Sequence, residues 1–346
     1  MKKLLIVGSN SVHVYNYIEL VKNYFDDILL ITDKKREGST IKTIEADFHL
    51  KPLNRIKTVN KIKKTIREFS PSVLHVHQAN SYGYFALKAA SKFQIPKILT
   101  VWGSDILLLP HRGLLFKKLV QYNLLHADAF TADAKFMADE MQKLVNGKKL
   151  DISMANFGID LPQLKLPKEN IIYSNRLHKK LYRIDKTISA FKLFLDNNPS
   201  ANWELIIAAT GEETNNLMSQ VDQLKIGDKV KFVGWVNKEQ NAEYYAKAKL
   251  FISIPESDAT AISLLEAMAY GCIPVLSDLP ANKEWIENEK NGIIVNSLSE
   301  DFIGRALKLN NHEVALMNEK IILEKGTKDA NRKKFFQLYD KLLNQK

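Results

Sequence analysis

Short apolar runs recur along this chain, each closing on a glycine or a polar cluster and each followed by helical spacing. Lys3-Leu4-Leu5-Ile6-Val7 enters a turn at Gly8-Ser9-Asn10, after which Val14, Tyr17, Ile18 and Val21 fall on one helical face. Similar runs at 28–32, 73–76, 98–101 and 127–133 predict further strands, separated by helices over 54–69, 81–91 and 134–144. Beyond a stretch at 161–169 that carries Pro162 and Pro167, the series begins again, with strands expected at 170–173, 203–208, 229–233, 250–254 and 273–277. Runs that are apolar throughout, not alternating, belong to parallel strands buried on both faces. Strand–helix alternation of this kind gives an α/β, doubly wound architecture, here two such domains around a cleft, the first over 1–165.

The densest chemistry lies between residues 250 and 285. After the strand at 250–254, a polar loop carries Glu256 and Asp258. A helix over 261–270 then places Ile262, Leu265 and Ala269 on one face and stops at Gly271. Open α/β sheets bind ligands at the carboxyl ends of their strands, which is where these acidic residues fall. The N–H groups of 260–263 form a helix N-terminus suited to a phosphate. Glu266, in the second turn, can accept bonds from two neighbouring ribose hydroxyls. The pattern by itself fits equally well a buried βαβ unit with a solvated acidic loop.

Composition narrows the class. With 346 residues, 45% hydrophobic and 26% charged, the chain is globular and long enough for two cores. No run approaches the roughly 20 apolar residues of a membrane span, and the first apolar run is too short for a signal peptide. One cysteine, Cys272, excludes an intrachain disulfide and fits a reducing, cytoplasmic compartment. Net charge is +11, and residues 1–165 carry 25 Lys+Arg against 15 Asp+Glu, so nearly all the excess is in the first half. Such a face attracts anionic lipid. It lacks the aromatic-interleaved motif of a nucleic-acid binder. Gly8-Ser9-Asn10-Ser11 completes no nicotinamide fingerprint.

Wording adds what periodicity leaves open. Glu266-Ala267-Met268-Ala269-Tyr270-Gly271-Cys272-Ile273-Pro274-Val275, with Asp258 eight residues upstream of Glu266, resembles the donor-site signature of retaining glycosyltransferases of family 4. There two acidic residues flank a small-residue loop. Here Asp258 stands for a glutamate and Ala259-Thr260-Ala261 for Gly-Phe-Gly. The resemblance implies the GT-B fold: a first Rossmann-like domain on the acceptor side (1–165), a second binding a nucleotide-sugar donor (166–325), and a C-terminal segment (326–346) crossing back to the first. Arg176-Leu177 matches the start of the family's diphosphate clamp. Its lysine register is displaced, leaving Lys180 as the choice and Lys179 and Arg183 as rivals. Phe232-Val233-Gly234 resembles a segment whose loop contacts the nucleotide base, and Asn291-Gly292-Ile293 a further motif.

The same resemblance assigns Arg176, Lys180 and Asp258 to catalysis. Glu266, Ala259, Thr260, Ala261, Ile262, Gly234 and Gly8 are assigned to donor binding. His13, His77, Trp102 and Asp105 fall on the acceptor side. His75 and His77 share one face of a strand, with His77 at its carboxyl end; no third ligand completes a metal site. Trp102 stands where many members carry a histidine, and an indole stacks on a sugar but exchanges no proton. The expected activity is retaining transfer of a hexose from a UDP- or GDP-sugar to a glycan or lipid-linked acceptor in surface polysaccharide synthesis, without metal or other cofactor. Expected partners are the donor, the acceptor and, peripherally, the anionic inner face of the membrane, with no nucleic acid. A GT-B epimerase and a non-catalytic nucleotide-sugar scaffold are the alternatives.

Overall fold

The computed structural model describes residues 1–344. It divides into two compact units, Met1–Phe157 with the segment from Lys328 onward, and Gly158–Thr327. The first holds seven parallel strands: β1 (Lys3–Val7), β2 (Asp27–Thr32), β3 (Lys42–Glu45), β4 (Val73–His77), β5 (Lys97–Thr100), β6 (Ala129–Ala132) and β7 (Ile152–Met154). Their order is β3-β2-β1-β4-β5-β6-β7. The second holds six, also parallel: β8 (Glu169–Ser174), β9 (Glu204–Ala208), β10 (Val230–Gly234), β11 (Ala248–Ser253), β12 (Ile273–Ser277) and β13 (Ile293–Val295), in the order β10-β9-β8-β11-β12-β13.

In each sheet the chain first builds outward on one side and then returns to build on the other. The reversal lies between β1 and β4 in the first unit and between β8 and β11 in the second. At such a switch point the loops leaving the two strands diverge, which opens a crevice at their carboxyl ends. The apolar runs that predicted these strands are buried because helices cover both faces. Leu205, Leu250, Ile252 and Val275 pack against Ile188 and Phe191 in the second unit. In the first, Leu4, Ile6, Tyr17, Val73 and Ile98 form one cluster with Phe335, Leu338, Tyr339 and Leu342 of the terminal helix Lys328–Asn344. These four residues lie on one face of that helix, and that face is core.

The division between the units falls ahead of the proline-bearing stretch at 161–169. Ile159 is the cause. Its side chain is buried with Leu264, Leu265 and Ile322, and its N–H donates to the carbonyl of Gly326 at 3.0 Å. The chain has therefore joined the second unit before the linker residues begin.

Candidate functional site

The second unit's switch point carries the acidic loop and the cationic turn together. Asn175 and Arg176 leave the end of β8, and residues 254–261 leave the end of β11. Across the gap, Arg176 Nη2 donates to Asp258 Oδ2 at 2.6 Å, and Nη1 donates to Ser263 Oγ at 3.0 Å. The side chains of Arg176 and Asp258 are 11% and 24% exposed, so the pair is accessible yet largely shielded from solvent. Tyr182 lies beneath the guanidinium, 4.5 Å from ring centroid to Cζ. An aromatic face against a guanidinium fixes its plane.

The helix Ile262–Ala269 follows Asp258, and no side chain caps it. Arg176 reaches Ser263 in the helix's first turn, so the partial positive charge of the helix N-terminus lies beside the guanidinium. The loop residues are not equivalent. Ala259 N–H donates to its neighbour's Asp258 Oδ1 at 3.0 Å, and the buried Thr260 accepts at Oγ1 from Trp285 Nε1 at 3.2 Å. Ala261 is the cap residue and Ile262 the first helical one.

Glu266 is half-buried in the second turn. Asn241 Nδ2 donates to its Oε2 at 3.4 Å, while Asn241 Oδ1 accepts from Tyr173 OH and Asn175 Nδ2. Tyr245 OH accepts from Asn175 and donates to the carbonyl of Ser263. Burial first, then the Glu266 carboxylate, pushes the Tyr173 and Tyr245 hydroxyls up, so both stay protonated donors. This polar scaffold behind Glu266 was not legible in the sequence; Asn175, beside the recognised Arg176, was the only local hint.

Lys180 lies on the turn that packs against the acidic loop, where the N–H of Glu256 donates to the carbonyl of Leu181 at 2.9 Å. It opens a single turn, Lys180–Tyr182, and is exposed beside Lys179, both lining a cavity of about 320 Å³ with Lys186, Glu213 and Glu256. Arg183, left-handed at φ 50°, donates to the carbonyls of Ile254 and Pro255. The turn thus presents Tyr182, not a cation, to Arg176. Gly234 ends β10 with φ 68°, in the left-handed region that favours glycine, and Trp235 after it is 73% exposed.

The first unit's switch point gathers the other sequence-read residues. A Cβ at Gly8 would lie 2.9 Å from Val14 Cγ2 and 3.2 Å from His77 Cβ, so packing alone demands glycine there. His77 is fully buried, accepts at Nδ1 from Trp102 Nε1 at 3.3 Å, and stacks on His75. His75 is enclosed in a chain of hydroxyls, Tyr17 and Tyr339 on Nδ1 and Thr100 on Nε2. Half-buried His13, Trp102 and Phe157 surround His77, with His13 5.2 Å from Trp102 and 5.7 Å from Phe157 between centroids. Asp105 is buried and accepts from the N–H groups of Ala79 at 2.6 Å and Trp102 at 2.9 Å. Its carboxylate ties the loops after β4 and β5 together. Burial pushes its pKa up, against the downward pull of those N–H groups.

Burial holds His13, His75 and His77 below the usual imidazole range, His77 at about 3. The unfolded chain then binds more protons than the folded one between about pH 6.5 and that value. Stability is full above the unfolded pKa and is lost as pH falls. For His77 the slope reaches about 1.4 kcal/mol per pH unit. Urea melts of wild type and His77→Gln between pH 7 and pH 5 should show a shallower decline in the variant; parallel declines would remove His77 from this accounting.

Among the described residues, no three His, Cys, Asp or Glu side chains are grouped to hold a metal ion, and no helix is long and apolar enough to cross a membrane.

Residues 161–321 match the family model described as glycosyl transferases group 1, and residues 2–134 match glycosyl transferase 4-like. Between them the two matches take in the strands on both sides of both switch points. The chain belongs to the group 1, family 4-type glycosyltransferases of GT-B fold. This family member is 30% identical over 170 residues to an uncharacterized glycosyltransferase of Haemophilus influenzae, covering 48% of this chain and 47% of that one. It is 23% identical over 239 residues to the alpha-monoglucosyldiacylglycerol synthase of Streptococcus pneumoniae, covering 63% and 54%. These alignments span about half the length of the two curated relatives. The crystal structure of Anabaena HepE in complex with UDP and glucose shares the GT-B fold, with a TM-score of 0.82 at 14% identity over 99% of this chain and 100% of that one.

Proposed function

We propose that this family member is a retaining glycosyltransferase that moves a hexose from a UDP- or GDP-sugar to a glycan or lipid-linked acceptor, in the assembly of a surface glycan. One observation carries the reading: Arg176 and Asp258 meet across the β8/β11 switch point, beside an uncapped helix N-terminus and the scaffolded Glu266. The donor's diphosphate would lie between the guanidinium and the first-turn N–H groups, its ribose on Glu266 and its sugar hydroxyls on Asp258. As the bond from anomeric carbon to phosphate oxygen breaks, negative charge grows on the leaving diphosphate, and fixed positive groups lower the barrier. The acceptor hydroxyl attacks on the same face, and its proton passes to the departing phosphate oxygen. Arg176, Lys180 and the helix terminus would supply the positive charge, so the scheme needs no metal. Gly234 and the loop after it would take the base.

On the first unit we assign the acceptor to the half-buried aromatic surface of His13, Trp102 and Phe157. His77 and Asp105 act behind it, one propping the indole and the other locking the loop. The match of HepE, solved with UDP, and of the diacylglycerol-glucosylating relative supports a nucleotide-sugar donor and a lipid-bearing acceptor.

The test is incubation with UDP-, GDP- and ADP-sugars, with and without glycan and lipid acceptors, scoring nucleoside diphosphate release and the product's anomeric configuration by NMR. Acceptor-dependent release with retention is expected. A new sugar isomer would indicate an epimerase, and binding without release a scaffold. Glu266→Ala should weaken UDP or GDP affinity about tenfold to hundredfold, the weight of one or two hydrogen bonds to a charged group, read by calorimetry. Unchanged affinity would take Glu266 out of the donor site.

A further inference from the structure

Asn241 stands on helix Lys238–Lys247, which follows β10. A reciprocal cap fixes where that helix starts. Asn237 Oδ1 accepts from the N–H of Gln240 at 2.8 Å, and Gln240 Oε1 accepts from the N–H of Asn237 at 3.0 Å. One turn later, Asn241 reaches both the end of β8 and helix Ile262–Ala269. Its Oδ1 accepts from Tyr173 OH at 2.7 Å and from Asn175 Nδ2 at 3.0 Å, and its Nδ2 donates to Glu266 Oε2 at 3.4 Å.

The network dictates which way round that amide sits. Tyr245 OH gives its proton to the carbonyl of Ser263 at 3.1 Å, so it accepts from Asn175, which must present its nitrogen. The same nitrogen then donates to Asn241. Tyr173 is fully buried, and burial, then the Glu266 carboxylate, keeps its hydroxyl protonated. Two donors therefore converge on one atom of Asn241, and that atom is the carbonyl oxygen. The amide nitrogen is left to face Glu266. A flipped amide would set an oxygen against the carboxylate and one NH2 against another. A glutamate on a helix surface samples several rotamers, and ordering it on binding costs affinity. Here the ordering is done beforehand, from behind, by a neutral donor that is itself locked.

We propose that Asn241 is the positioning residue for Glu266, turning its carboxylate toward the two neighbouring ribose hydroxyls and so setting a preference for ribonucleotides over 2′-deoxyribonucleotides. This rests on the donor-site reading given above. The full chain is titrated by calorimetry with UDP and GDP and with their 2′-deoxy forms. Wild type should favour the ribonucleotide by about tenfold, the weight of one hydrogen bond to a charged group. Asn241→Leu should weaken UDP or GDP binding about tenfold and remove most of that preference. In the Glu266→Ala background the same change should add less than about twofold, because the amide then has no carboxylate to hold. Asn241→Asp keeps an acceptor for Tyr173 and Asn175 but replaces the donor to Glu266 with a second negative charge. It should lose at least as much as Asn241→Leu, whereas a residue that merely braced Tyr173 and Asn175 would tolerate it. Circular dichroism confirms the fold of each variant. Glu266→Ala binding like wild type would overturn the donor-site reading and this proposal with it. A weakened Glu266→Ala beside an Asn241→Asp that keeps wild-type affinity and preference would overturn this proposal alone. So would an Asn241→Leu that costs the same factor in both backgrounds.

Discussion

Arg176→Ala should lower kcat about 100- to 1000-fold, the cost of removing one donor that stabilises a transition-state oxyanion. The guanidinium is held on three sides, by Asp258, Ser263 and the Tyr182 ring, so its position is set before any substrate arrives. Such preorganisation matters most where charge develops, on the leaving diphosphate, and least in the ground state. The loss should therefore appear in turnover, with the KM for the nucleotide-sugar moving much less. Arg176→Lys should recover only part of the activity, because a point charge replaces a fork that stacks on Tyr182 and reaches two oxygens. Steady-state kinetics on the active donor, with circular dichroism confirming the fold, decide the matter. A kcat within a few-fold of wild type would break the link between Arg176 and the leaving group.

Phe335→Ala should destabilise the first unit by about 3–5 kcal/mol, the usual loss for emptying an aromatic site in a core. Phe335 lies near the end of the chain, yet its side chain is fully buried and meets Tyr17 at 5.3 Å between centroids. Tyr339, one turn on, joins Tyr17 and His75 in the buried hydroxyl chain. Removing the ring would empty the space beneath that chain as well as the apolar contact. Hydrogen exchange should show the amides of β1 and β4 losing protection while those of β8 and β11 keep theirs, since the cluster holds only first-unit residues. Uniform protection of both sheets would mean that the terminal helix contributes little to that core.

Legibility differed from residue to residue. The strands announced themselves because burial on both faces leaves no polar position in the run, as in Leu4–Val7 and Leu205–Ala208. The helix from Ile262 and its stop at Gly271 followed from spacing and a glycine whose φ of 71° few other residues adopt. Lys180 was the harder case. It was selected by distance along the chain from Arg176, but the residues from Lys179 to Arg183 form a tight turn, and turns decide direction by backbone dihedrals that spacing does not encode. That turn sets the Tyr182 ring against Arg176, a contact spacing did not foretell. The division of the chain was hidden for a related reason: prolines mark where a chain is extended, whereas Ile159 joined the second unit through long-range burial.

The order of apolar runs and turns in the sequence determined that there would be two parallel α/β sheets, and its wording at 258–275 determined the family. Those signals are local, because strand burial and helix termination are read within a few residues. What only the tertiary structure decided is which side chains meet: Arg176 with Asp258 across a switch point 82 positions apart in the chain, Asn241 behind Glu266, and Tyr339 against Tyr17. Partners so distant are brought together by strand order and register, and those are set by the packing of the whole unit.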